Sequence, residues 1–104
     1  MKKEIKKTIE DLGWVVESDT CIHTLTNVCD REIYIECNNK GELKETINNY
    51  YHNYDVDEEV EMYLQAKHNG LEGVPSASVL VKDCEDEENI LGELWYTVMD
   101  FPNF

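Results

Sequence analysis

Basic residues are scarce in this chain. Lys and Arg total 9 against 23 Asp and Glu, a formal net charge of −14 over 104 residues. From Asp55 onward, 13 acids face only Lys67 and Lys82, so that half carries 11 of the 14 excess negatives. A surface with so few cations repels nucleic acid, acidic membranes and anionic substrates, and it attracts basic protein surfaces. Long apolar runs are missing too. No stretch approaches the ~18 apolar residues that suggest a spanning helix. Lys2, Lys3, Lys6 and Lys7 are not followed by the apolar run of a secretory signal. A cytoplasmic location is therefore expected.

Paired cysteines are also lacking. Cys21, Cys29, Cys37 and Cys84 form no C-x-x-C pair, so neither disulfides nor structural zinc are expected, and the thiols read as buried and free. Nucleophile-elbow, P-loop and dinucleotide motifs are absent. His23, His52 and His68 are scattered, although a Cys–His pair that meets only in space stays open. Asp55-x-Asp57-x-Glu59 opens like a calcium loop, but Val60 and Ala66 stand where that loop needs Gly and Glu. The run Asp83, Glu85, Asp86, Glu87, Glu88 points around a helix axis, without convergence on one ion. The expectation is a protein that is not an enzyme and holds no cofactor or metal.

What is present is the material of a core. Hydrophobic residues make up 41%, with two Trp, six Tyr and two Phe, which disordered acidic tails lack. Residues 1–104 read as one domain. Ile5, Ile9 and Leu12 predict a helix over 2–12, stopped by Gly13. Strands are expected at Trp14–Glu17, Cys21–Val28 and Arg31–Cys37, the last with Ile33, Ile35 and Cys37 on one face. Leu43 and Ile47 predict a helix over 41–53. Asp55 is a candidate N-cap for a helix running to about Asn69, with Glu58 at the capping-box position and Val56 as a staple. Ser76 is a candidate cap for a final helix with the stripe Val79, Leu80, Cys84, Leu91, Leu94, Trp95 and Val98. That helix is expected to run unbroken across the apolar-poor segment Glu85–Asn89, because the stripe keeps phase. Residues 100–104 form a non-helical tail. The sum is an α+β domain, order α-β-β-β-α-α-α, with a small three-stranded antiparallel sheet covered by helices. Of Tyr50, Tyr51, Tyr54 and Tyr63, two or three are expected in the core with hydroxyls at its rim. Tyr50 and Tyr51 are adjacent, so one of them should be exposed.

At Tyr54-Asp55-Val56-Asp57-Glu58-Glu59-Val60-Glu61-Met62-Tyr63, and again at Gly73-Val74-Pro75-Ser76, the sequence resembles small acidic proteins of phages and mobile elements of gut bacteria. The likeness covers about residues 48–95 and implies an accessory protein of a mobile element, without catalytic residues. The element order is also similar to that of some acidic anti-CRISPR inhibitors.

Two functions follow as expectations. The first is a nucleic-acid mimic that binds the basic nucleic-acid channel of a host defence nuclease, such as a CRISPR effector or restriction enzyme. Its partner-binding candidates are Asp55, Asp57, Glu58, Glu59, Glu61, Asp83, Glu85, Asp86, Glu87 and Glu88. Direct nucleic-acid and membrane binding are not expected. The second is an interaction or regulatory module that uses exposed Tyr and Trp, or the Phe101–Phe104 tail. A weaker third class is a protein that sequesters a small signalling ligand.

Overall fold

A computed structural model describes residues 1–104. Seven elements follow one another: α1 (Lys3–Asp11), β1 (Val15–Ser18), β2 (Cys21–Leu25), β3 (Glu32–Glu36), α2 (Lys40–His52), α3 (Val56–His68) and α4 (Ala77–Met99). The three strands make one antiparallel sheet in the order β1-β2-β3, so the fold is α+β with the expected element order. Ile22 pairs with Ile35 and His23 with Tyr34 across β2 and β3. Period-two alternation puts Ile33 and Ile35 in the core and Glu32, Tyr34 and Glu36 in solvent.

The spine is α4. At ~1.5 Å per residue, its 23 residues span roughly 34 Å. Its C-terminal half packs with α1, α2 and the sheet around Ile5, Ile9, Ile22, Ile47, Leu91, Leu94 and Val98. Its N-terminal half packs with α3 around a separate small core of Val28, Val60, Val74, Leu80 and Cys84. The molecule is accordingly long and narrow, 45 × 23 × 21 Å. No helix is long and apolar enough to cross a membrane.

Several sequence expectations need correction. Strand β2 ends at Leu25, short of Val28. The chain turns instead, with Cys29 and Asp30 both at positive φ (52° and 53°), closed by Thr26 N–H donating to Arg31 O at 2.8 Å. That turn drops Val28 into the small core and leaves the Cys29 thiol exposed, so not every thiol is buried. Ser76 precedes α4 but makes no capping bond; its hydroxyl lies 3.3 Å from that of Ser78. Asn39 caps α2 instead. Its Oδ1 accepts from Glu42 N–H at 2.9 Å, and the Glu42 carboxylate accepts from Asn38 N–H at 3.1 Å. Asp55 does cap α3, accepting from Asp57 N–H and Glu58 N–H at 2.9 and 3.3 Å. Val79 leaves the stripe and is exposed, and Phe104 folds back into the main core. Neither Tyr50 nor Tyr51 is exposed. Both are half-buried, packed against the main core.

Candidate interaction surface and the buried arginine cluster

The ten acids singled out by sequence divide into two groups. Asp55, Asp57, Glu58 and Glu61 stand exposed at the start of α3. Glu85 is exposed on α4, and Asp83, Asp86 and Glu88 are half-exposed beside it. These eight lie on the same helical hairpin, away from Lys2, Lys3, Lys6 and Lys7 at the start of the chain. Glu59 and Glu87 do not belong to that surface, and here the sequence reading is overturned. Glu59 is half-buried, and Glu87 is only 1% exposed.

Both turn inward to the same cation. Arg31 Nη1 donates to Glu59 Oε2 at 3.2 Å, and Arg31 Nη2 donates to Glu87 Oε1. Arg31 sits immediately before β3, so this ion triad ties the sheet to both helices of the hairpin. Burial by itself would lower the Arg31 pKa, but the Glu87 and Glu59 carboxylates outweigh it and hold the guanidinium charged. Burial pushes the Glu87 carboxyl up, with Arg31 pulling it back and Thr26 helping the ionised form less. No hydrogen bond reaches Glu87 Oε2. Tyr54 Oη donates to Cys84 O at 3.2 Å, and burial raises both that phenol and the Cys84 thiol. Burial also raises Tyr50 and Tyr63, against the pull of Arg31. Three of the four clustered tyrosines are thus walls of this polar core.

A signal for Glu87 was present in the sequence. Leu80, Cys84, Glu87, Leu91, Leu94 and Val98 advance in alternating steps of four and three, the spacing of one buried helix stripe. Glu87 occupies the position that looked like a gap. Arg31 is the only arginine of the chain, and arginine is the residue best suited to a buried ion pair.

Two aromatic surfaces remain open. On the outer sheet face, Tyr34, Val15 and Leu25 are exposed around His23, whose Nε2 and Nδ1 lie 2.7 and 2.9 Å from Glu17 and Glu32 carboxylate oxygens. On the other side, Trp95 stacks on Tyr51 (5.4 Å between centroids) and meets Tyr96 edge-on (4.8 Å). Tyr96 is 64% exposed. The Phe101–Phe104 tail offers no such surface, since Phe101 is half-buried and Phe104 buried. No three His, Cys, Asp or Glu side chains are gathered as a metal site would require. No protein-family model, curated protein or solved structure matches this chain.

Proposed function

We propose that this protein is a non-enzymatic acidic decoy, which occupies the basic nucleic-acid channel of a defence nuclease in the cytoplasm and blocks substrate entry. The observation that carries this reading is the gathering of exposed acids on one helical hairpin, α3 and α4. The acids that serve are the exposed ones: Asp55, Asp57, Glu58, Glu61 and Glu85, with Asp83, Asp86 and Glu88 at their margin. Glu59 and Glu87 hold the frame from inside.

The test is competition. A panel of restriction enzymes and RNA-guided nucleases is assayed for DNA binding with and without the protein, at low and high salt. The expected result is salt-sensitive displacement of DNA from at least one nuclease, lost in Asp57→Lys/Glu58→Lys/Glu61→Lys/Glu85→Lys. Displacement by wild type and variant alike would remove the acidic surface from the explanation. A second reading, contact through aromatic side chains, is favoured by the exposed Tyr96, which meets Trp95 edge-on.

A further inference from the structure

We propose that the groove between α2 and α4, walled by Tyr51 and Tyr96 and edged by Glu88 and Glu93, is a receptor for one arginine side chain of a protein partner. It shares with the decoy reading only the premise of a basic partner, and it names the group that would anchor that partner.

The groove follows from helix geometry. Glu88, Gly92 and Tyr96 stand at i, i+4 and i+8 on one face of α4, with Asn89 and Glu93 on the adjoining row. Tyr51 crosses over from α2 to close the other side, leaving a cavity of about 290 Å³. Gly92 lets the ring lie this close to the helix. A Cβ there would sit 3.1 Å from Tyr51 Cε1 and 3.3 Å from both Cζ and Oη. Glycine inside a helix is less favourable than alanine, and the close approach of the Tyr51 ring is what it permits. The rings are set in advance. Trp95 stacks on Tyr51 at 30° and its Nε1 donates to Asn48 Oδ1 at 2.7 Å, while Tyr96 and His52 meet it edge-on.

The chemistry of the walls selects the occupant. The volume is at the lower limit of the ~300–1,000 Å³ usual for ligand pockets, which suits one side chain better than a cofactor. Aromatic faces attract cations, and neither Glu88 nor Glu93 has an ion-pair partner within the chain. A guanidinium is planar, stacks on aromatic rings and pairs with carboxylates through a fork of N–H donors, whereas an ammonium is a compact, strongly hydrated charge. Arginine therefore fits this groove better than lysine.

The experiment uses the whole protein and three probes: acetyl-Gly-Arg-Gly-amide and its lysine and citrulline counterparts. Amide chemical shifts and Trp fluorescence are followed during titration. The arginine probe is expected to move Asn89, Gly92, Glu93 and Tyr96 at millimolar concentration, several-fold more tightly than the lysine probe, with the neutral citrulline probe silent. Tyr96→Ala, and separately Glu88→Gln/Glu93→Gln, should each weaken it about threefold to fivefold, as expected for cation–aromatic and charge contacts at a partly exposed site. Circular dichroism checks that these surface variants stay folded. Reversing Asp57, Glu58 and Glu61 should leave binding within about twofold, because those acids belong to α3, which contributes no residue to the groove, and salt screens their longer-range pull. Equal affinity for arginine and lysine, unchanged by Tyr96→Ala, or shifts spread over the α3 acids as well, would overturn the groove. The nuclease competition reads the decoy separately: local arginine binding upholds the groove even where no nuclease is displaced, and diffuse binding overturns it even where one is.

Discussion

Glu87 is an acid in the place of a leucine. It continues the apolar stripe of α4, and its charge is tolerated because Arg31 reaches it from the start of β3. Removing one partner of a buried pair costs about 3–5 kcal/mol, while replacing both with apolar groups is often neutral or stabilising. Arg31→Met is therefore expected to lose about that much in a urea melt at neutral pH, and Arg31→Met/Glu87→Leu to recover most of it. A double variant as unstable as the single one would mean that Arg31 acts through something other than charge. The pH dependence has an unusual sign. Burial raises Glu87 in the folded state, so the folded protein holds its proton more tightly than the unfolded chain. Its contribution is fully present below the unfolded value of ~4.3 and is lost as pH rises through the folded value. Glu87→Gln should thus gain stability relative to wild type as pH rises above that unfolded value. Paired urea melts from about pH 4 to 8 would show it, and a difference that stays flat or shrinks over that range contradicts it.

Among the elements, the three helix starts after the sheet behave differently although each begins with a good capping residue. Asn39 and Asp55 accept from free N–H groups of the first turn, and Ser76 does not. Asn39→Ala and Asp55→Ala should each cost about 1 kcal/mol, while Ser76→Ala should change stability by less than ~0.5 kcal/mol. Thermal melts of the three variants test this ordering. Asp57 and Glu58 also sit in the first turn of α3, where acids favour the helix dipole by about 0.3–1 kcal/mol each. Their reversal to Lys weakens α3 slightly, so the charge-reversal variant needs its own melt before any loss of binding is assigned to charge. Reversal of Glu87, which the sequence alone placed on the acidic surface, would set a lysine against Arg31 in the interior.

For the whole molecule, charge is unevenly spread along a 45 Å body. The α3–α4 hairpin holds eight of the ten candidate acids at its surface, whereas Lys2 and the α1 lysines Lys3, Lys6 and Lys7 are all exposed near the sheet. Like charges so gathered repel, and salt screens them: the Debye length falls from ~10 Å at 0.1 M to ~3 Å at 1 M. The melting temperature is expected to rise between about 0.02 and 0.5 M sodium chloride. A fall would mean that the ion pairs of Arg31 outweigh the repulsion. In a gel-shift assay at physiological salt, neither DNA nor RNA should bind, because phosphate contacts dominate that affinity and few cations are offered here.

Local pattern was enough to read the element order, the alternation of β3, the Asp55 cap and the unbroken α4, since period and capping chemistry act within a few residues. The sequence likewise sufficed for the sign of the surface, which is a sum over composition. Which acids belong to that surface was decided by packing. Glu58 and Glu59 are neighbours in a run of acids, yet one is exposed and the other turns to Arg31, 28 residues earlier in the chain. The same division recurs on α4, where Asp86 stays half-exposed while Glu87 is sealed against Arg31. The groove beside Gly92 exists only because α2 lays Tyr51 across α4. A helix period assigns a residue to a face, but the partner that meets that face comes from a distant segment, and only the folded chain brings the two together.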